Sequence, residues 1–165
     1  MGDKIGIMGA GALGSYVGAF LSKIGEDVTF VDMWPEHVEK MRADGLHVTG
    51  SQGPFTVPVK AMHLTEAQNI SVPFDWVFIS VKSYDTEWAT HFIKRYVRED
   101  GFFVSLQNCW NDVPMGEIVG PQIGFDRLPR LDQLRTQHAR QQPPRERRGM
   151  VEAVFLDEDI AVTAL

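Results

Sequence analysis

Three glycines near the start of the chain have the spacing of a nucleotide-binding turn. Residues 9–14 are Gly-Ala-Gly-Ala-Leu-Gly, which matches the pattern G-x-G-x-x-G. The first glycine permits a tight turn, the second lets a pyrophosphate approach the backbone, and the third brings a helix close to a sheet. Unpaired N–H groups at the start of that helix, and its dipole, attract phosphate. The pattern predicts a dinucleotide site formed by Gly9, Ala10, Gly11, Ala12, Leu13 and Gly14.

The segments around this turn predict the strand and helix that it requires. Residues 5–8 are an apolar run typical of a buried strand. Apolar residues between positions 13 and 24 recur at the helical period, and Gly25 suits the end of that helix. A second apolar strand at residues 28–31 leads to Asp32. Together they predict a strand–turn–helix–strand unit with an acid where a ribose would lie.

Asp32 predicts the kind of dinucleotide. A carboxylate here accepts hydrogen bonds from the ribose hydroxyls of adenosine and repels a 2′-phosphate, so it favours NAD over NADP. A glycine-rich turn in another α/β protein and an S-adenosylmethionine methyltransferase share parts of the pattern; the three-glycine spacing argues against the latter. The dinucleotide interpretation requires Asp32 to face the turn and the amides of the turn to be open.

Composition excludes several other classes. At 165 residues the chain is predicted to be one domain with an additional tail, and its net charge of −6 argues against a nucleic-acid partner. Its single cysteine, Cys109, excludes an internal disulfide and fits a reducing compartment. We expect no signal peptide, no membrane span and no metal site, because no segment or histidine spacing supports them. The expected location is the cytoplasm.

Strands and helices alternate along the first 120 residues. The segments that follow Asp32 predict a helix at 35–45, a third strand at 46–49, an edge strand at 55–59, a central strand at 75–81, a helix from about 85 to 97, a strand at 102–106 and a short helix at 111–119. The fold class predicted is α/β, a Rossmann-type, doubly wound, mostly parallel sheet in three layers.

Polar residues at the ends of the predicted strands are the other site candidates, since ligands bind beyond the carboxyl ends of such strands. Lys82 could contact a cofactor phosphate or a substrate carboxylate, or be a solvated lysine. Asn108 could bind the nicotinamide carboxamide or a substrate hydroxyl, or satisfy a turn. For Trp34 a hydrophobic lid on the sheet is favoured over packing on adenine. Cys109 is interpreted as an inert thiol, and no catalytic residue is predicted.

Four segments together resemble the ketopantoate reductase family, that is, 2-dehydropantoate 2-reductases and related NAD(P)-dependent 2-hydroxyacid dehydrogenases. They are residues 9–14, Ala43-Asp44-Gly45-Leu46, Val81-Lys82 and Leu106-Gln107-Asn108. The resemblance implies that residues 9–14 bind the cofactor and that Lys82 and Asn108 line the nicotinamide and the substrate. It also implies hydride transfer that reduces a 2-keto acid to a 2-hydroxy acid, in pantothenate biosynthesis.

The sequence departs from this family at two positions within the resemblance. Cys109 stands where the family commonly has glycine, and Asp32 stands where NADP-using members have a basic residue. The second departure implies NAD as the cofactor, with NADP the less favoured alternative. It also leaves open a 2-keto acid substrate other than ketopantoate.

A larger departure begins after residue 120. The family has a second, helical domain with a lysine as proton donor, whereas all six lysines here precede residue 121. Seven of the ten arginines follow that residue, and Pro143-Pro144 interrupts the segment. We therefore predict a dinucleotide-binding domain at 1–120 and an atypical, partly disordered Arg/Pro-rich tail at 121–165, from a truncated or frame-shifted end. The alternative is a natural basic tail that docks on an acidic partner.

The predicted function is the cofactor-binding half of a ketopantoate-reductase-type enzyme, with weak or no turnover by this chain alone. The expected partner is a small 2-keto acid, and apolar surface left without a second domain favours homo-oligomers. The alternative is a non-catalytic NAD or nucleotide-binding module with an interaction tail.

Overall fold

The computed structural model describes residues 2–49, 53–107, 111–120 and 162–163. The strands in these ranges are β1 Lys4–Met8, β2 Asp27–Asp32, β3 Leu46–Val48, β4 Phe55–Val57, β5 Lys60–His63, β6 Phe74–Ile79, β7 Val97–Ser105 and β8 Val162–Thr163. The α-helices are α1 Ala12–Lys23, α2 Pro35–Asp44, α3 Thr86–Lys94 and α4 Asp112–Val119. Two 3₁₀ helices lie at Leu64–Asn69 and Ser83–Asp85.

The central sheet has five parallel strands in the order β5-β2-β1-β6-β7. From β1 the chain first builds outward through β2 to β5, and then returns to the other side of β1 to form β6 and β7. The direction of winding therefore reverses between β1 and β6, and a crevice opens beyond their carboxyl ends at such a point. The predicted doubly wound α/β fold is confirmed.

Alternation of side chains along the strands produces an apolar core on each face of the sheet. Ile7 and Phe30 belong to the core that includes Ala19 of α1 and Met41 of α2. Their chain neighbours Met8 and Val31 belong to the opposite core, where α3 and α4 contribute the side chains Ala89, Ile93 and Met115. Because both faces are covered, the central strands β1, β2 and β6 are apolar over most of their length, as in other three-layer parallel sheets.

The predicted third strand of the sheet was wrong. Residues 46–48 form β3, which pairs antiparallel with β4 in a separate three-stranded sheet of order β4-β3-β8. The strand beside β2 is instead β5, in which Ala61 pairs with Phe30. β5 is four residues long and begins with a lysine, so it has neither the length nor the pattern of a buried strand.

The boundary between α3 and β7 also differs from the prediction. The helix ends at Lys94, and Val97, predicted to be helical, already pairs with Phe74 of β6. The register of β6 and β7 shifts between Phe74 and Trp76. Gly101 lies inside β7, where a Cβ atom would be 2.6 Å from Cγ1 of Val97. The first part of β7 is exposed and charged, so it lacks the apolar residues by which a strand is recognised. For this reason the sequence predicted a later start for the strand.

Part of the C-terminal segment contacts the first domain. Val162–Thr163 pairs antiparallel with β3, opposite His47 and Val48. The remainder of the predicted Arg/Pro-rich tail, 121–161 and 164–165, lies outside the described residues. Among the helices described, none has the length and apolarity needed to cross a bilayer.

Candidate functional site

The glycine loop, residues 9–14, follows β1 at the crevice between β1 and β6. Gly9 continues the ladder, because its N–H donates to the carbonyl of Val31 over 2.9 Å. Its φ angle is +98°, a conformation that favours glycine, and a Cβ atom there would lie 2.9 Å from Cγ1 of Val81. The fold itself therefore requires a glycine at this position.

Gly14 sets how closely α1 approaches the sheet. A Cβ atom at this position would lie 2.2 Å from both the Gly9 carbonyl oxygen and Oγ of Ser80. The Ser80 hydroxyl also donates to the Gly9 carbonyl, and the backbone N–H of Ser80 donates to the Met8 carbonyl over 2.9 Å. The first turn of α1 thus lies directly against the ends of β1 and β6, which places the start of the helix over the crevice.

Gly11 differs from these two glycines, since nothing in the described fold requires it. Its φ angle is −67°, and no atom lies within 4 Å of the position where a Cβ would stand. It precedes α1, which has no side-chain cap and no acid in its first turn. The first N–H groups of a helix have no intrahelical acceptor. Gly11 and Ala12 are exposed, so this end of α1 is open to an anion.

Three side chains fix the backbone of Ala10, and we refer to them as the Ala10 clamp. Oδ2 of Asp32 accepts the Ala10 N–H over 2.6 Å. The Ser15 hydroxyl donates to the Ala10 carbonyl over 2.7 Å, and Nε2 of His37 lies 2.9 Å from the same oxygen. A carbonyl only accepts, so Nε2 of His37 carries the proton. In a planar trans peptide, the next N–H, that of Gly11, then points away from Ser15 and His37.

Asp32 faces the glycine loop. Besides the Ala10 N–H, it accepts the N–H of Trp34 at Oδ1 over 2.9 Å, and the residue is only 7% exposed. Two amides of the loop, those of Gly9 and Ala10, are thus occupied by protein, while each carboxylate oxygen retains capacity for a further donor. Trp34 itself is 64% exposed, so the expectation that it forms a lid on the sheet was wrong.

The turn after Asp32 is fixed from the neighbouring strand. Nε2 of His63, at the end of β5, donates to the carbonyl of Met33 over 2.8 Å. The His63 N–H donates to Glu66, whose other partner is Arg42 at 2.6 Å. These donors lower the pKa of Glu66, first through the backbone N–H and then through the guanidinium. The charged Glu66 carboxylate therefore stabilises the backbone position of His63, whose ring orients the turn after Asp32.

The second half of the site follows β6. Lys82 is exposed and lies one residue beyond Val81, beside the glycine loop. The amide of Gln107, after β7, donates to the carbonyl of Val81 over 2.8 Å and to the Thr86 hydroxyl over 2.7 Å. The structure thus brings Lys82 and the end of β7 together. Asn108 and Cys109, which follow Gln107, lie outside the described residues.

Several residues with a role in this geometry were missed by sequence reasoning. Ser15 and His37 bind the loop carbonyl, Ser80 binds Gly9, and Gln107 binds the segment after β6. The available signal was position, since each lies within a few residues of a strand end or of the glycine loop; Gln107 also belongs to a segment that resembles the family, but no role was predicted for it. Among the described residues, no three His, Cys, Asp or Glu side chains form a group that could bind a metal ion.

Comparison with known proteins assigns the family. The model of the family described as "Ketopantoate reductase PanE/ApbA" matches residues 5–121, well over half of the chain. The chain belongs to the ketopantoate reductase family. The match includes the glycine loop, Asp32, Lys82 and Gln107, and it ends where the arginine-rich segment begins.

Individual members of the ketopantoate reductase family show how much of a whole protein this chain represents. It is 34% identical to the 2-dehydropantoate 2-reductase of Pyrococcus horikoshii over 73% of this chain and 38% of that protein. The enzyme of that name from Aquifex aeolicus is 38% identical over 66% of this chain and 33% of its own length. The crystal structure of 2-dehydropantoate 2-reductase from Geobacter metallireducens superposes with a TM-score of 0.63, at 33% identity, over 73% of this chain and 39% of that one. The chain spans less than two fifths of the length of these relatives.

Replacing Asp32 with alanine tests the Ala10 clamp. Asp32→Ala leaves one buried backbone N–H group, that of Ala10, and one part-buried N–H group, that of Trp34, without their charged acceptor, so we expect the free energy of unfolding to fall by about 1–3 kcal/mol. The matched control is Asp44→Ala, which removes an exposed ion pair with Lys40 and is expected to cost about 0.5 kcal/mol or less. Urea unfolding measures both. Equal losses in the two variants would show that the clamp contributes nothing to stability.

Proposed function

We propose that this chain binds a nicotinamide dinucleotide at the glycine loop and forms the cofactor-binding part of an oxidoreductase that reduces a 2-keto acid to a 2-hydroxy acid. One observation carries the proposal: the unobstructed space at Gly11, in front of the uncapped start of α1. Gly9 and Gly14 are explained by packing within the protein, whereas Gly11 is not. A ligand that approaches the backbone explains it, and membership of the ketopantoate reductase family supports a dinucleotide as that ligand.

The choice between NAD and NADP depends on Asp32. Family membership supports a nicotinamide cofactor without distinguishing the two. The buried Asp32 carboxylate lies at the end of β2, next to the loop that would bind the pyrophosphate, where an adenosine ribose would lie. Its negative charge disfavours a 2′-phosphate, so we propose NAD as the preferred cofactor, with NADP as the alternative.

The proposed mechanism assigns binding and orientation to this chain. The nicotinamide supplies the hydride when it is bound. The start of α1 would bind the pyrophosphate, and Asp32 the ribose hydroxyls. Lys82, and Asn108 by resemblance, would face the nicotinamide and the carboxylate of a small 2-keto acid. The lysine that donates a proton in the family lies in its second domain, and here every lysine precedes residue 121. We therefore propose that residues 121–165 depart from the family pattern, and that turnover by this chain alone is weak.

A second candidate function is a nucleotide-binding module without catalysis, with the tail as its interaction segment. The pairing of Val162–Thr163 with β3 favours this candidate, because it joins part of the tail to the first domain. Both candidates require the same nucleotide site, and they differ in whether bound NADH reacts.

Gly11→Ala separates ligand binding from folding. The added methyl group meets no protein atom, so we expect stability to change by about 1 kcal/mol or less, but it would occupy the space proposed for the pyrophosphate. Overpacking of about 1–3 kcal/mol predicts about ten- to a hundredfold weaker NADH binding. Isothermal titration calorimetry measures the affinity. The control is Gly2→Ala, outside the loop, which is expected to bind as the wild type does. Unchanged affinity in Gly11→Ala would contradict the proposed site.

A titration with three ligands tests the cofactor. We expect the wild type to bind NADH at least about tenfold more tightly than NADPH, because a carboxylate beside a phosphate costs several kcal/mol. Asp32→Arg also removes the acceptor of the Ala10 N–H, so we expect both affinities to fall but that for NADH to fall by more, with the fold checked by thermal unfolding. Tighter binding of NADPH by the wild type would overturn the choice of NAD. Binding of S-adenosylmethionine without either dinucleotide would instead indicate a methyltransferase.

Turnover by the purified 165-residue chain distinguishes the two candidates. With NADH and a 2-keto acid such as ketopantoate, we expect a rate about 10²–10⁴-fold lower than that of a family member with a proton-donating lysine in its second domain, because every lysine here precedes residue 121. Oxidation of NADH is followed by its absorbance. Slow turnover supports the oxidoreductase half, and binding without any turnover supports the nucleotide-binding module. A rate typical of a complete reductase would contradict the proposed weak activity.

A further inference from the structure

Gln107 occupies a position that the proposed binding roles do not explain. It follows β7, and its side-chain amide crosses to the segment after β6, donating to the Val81 carbonyl over 2.8 Å and to the Thr86 hydroxyl over 2.7 Å. Because the Val81 carbonyl can only accept, the nitrogen of the amide must face it. The amide oxygen faces the Ser105 hydroxyl at 3.3 Å. The orientation of this side chain is therefore determined by its partners.

The contacts of Gln107 continue into the turn that contains Lys82. The Thr86 hydroxyl, which accepts from Gln107, donates to the carbonyl of Ser83 over 2.8 Å. The N–H of Asp85 closes the same turn onto the carbonyl of Lys82, also over 2.8 Å. Thr86 is only 3% exposed, so its hydroxyl is largely shielded from water. Bonds on both sides of Lys82 thus fix its backbone to the end of β7.

We infer that Gln107 is a positioning residue for Lys82: it fixes the turn at residues 81–86 so that the Lys82 ammonium is presented to the bound dinucleotide. This inference rests on the proposed function. The side chain of Lys82 makes no hydrogen bond or ion pair with the described residues and is exposed, so the Lys82 backbone sets where the charge is available. Without a fixed turn, a flexible lysine would lose more conformational freedom on binding an anion.

A double-mutant cycle tests whether Gln107 acts through Lys82. Gln107→Met removes the amide at similar length and without adding charge, and Lys82→Met removes the ammonium. We expect Gln107→Met to weaken NADH binding by about three- to tenfold when Lys82 is present, and by less than about twofold in the Lys82→Met background. Calorimetric titration of the full chain with NADH measures all four proteins. A purely structural role would lower affinity by the same factor in both backgrounds, and that result would overturn the inference.

Two buried threonines on α3 provide a second test of the inference and its matched control. Thr86→Val removes the hydroxyl that links Gln107 to Ser83, and should weaken NADH binding as Gln107→Met does. Thr90→Val removes a hydroxyl that donates only to the Thr86 carbonyl within the helix, and should leave binding unchanged. Equal effects of the two would contradict the inference. Absence of NADH binding by the wild type would refute the proposed function itself, and is thereby distinguished from failure of the positioning role.

Discussion

The hydrogen bond from the Ala10 N–H to Asp32 is the interaction on which the geometry of the crevice depends. It joins the glycine loop after β1 to the end of β2, over 2.6 Å and largely shielded from water. With Ser15 and His37 on the Ala10 carbonyl, both peptide planes around this residue are fixed. The direction of the following N–H groups is then set before any ligand arrives. A loop oriented in advance loses little entropy when it binds an anion.

The three glycines of the loop show how one motif can combine folding and function. Gly9 and Gly14 allow contacts within the protein that any side chain would prevent, so their substitution would disturb the fold first. Gly11 has ordinary backbone angles and open space around it. The same pattern thus contains two residues whose missing side chains the packing explains and one, Gly11, whose missing side chain the described fold does not explain. Spacing alone does not separate these roles.

Most of the fold could be predicted from the sequence because its signals are local. The glycine loop, the helical period of α1 and the apolar strands on either side lie within the first 32 residues, and each is recognisable alone. The alternation of such segments over residues 1–120 predicted the parallel sheet, and four short segments between residues 9 and 108 indicated the family. The choice of the strand beside β2 was not local: β5 is short and half polar, and only its pairing with β2 makes it part of the sheet. The β-strand propensity of a segment carries little information where tertiary contacts determine whether the segment joins a sheet.

The same distinction explains which parts of the candidate site could be anticipated. Asp32 and Lys82 were predicted because they follow buried strands, and the structure places both beside the loop. The supporting contacts of Ser80 and Gln107 join positions that are 71 and 26 residues apart, respectively, and no local pattern encodes such pairs. Their side chains are common polar types found equally in turns and on surfaces. Only the packing of the strand ends shows that they determine the shape of the crevice.

A parallel sheet of this kind separates binding from chemistry. The groups proposed to bind the dinucleotide all come from the ends of β1, β2 and β6, so one edge of the central sheet presents them together. Rate acceleration requires groups that interact more strongly with the transition state than with the bound substrate, such as a positioned proton donor. In the family such a group comes from a second domain, across the crevice. Affinity for the dinucleotide and acceleration of the reaction therefore depend on different groups, and the groups proposed here account only for affinity.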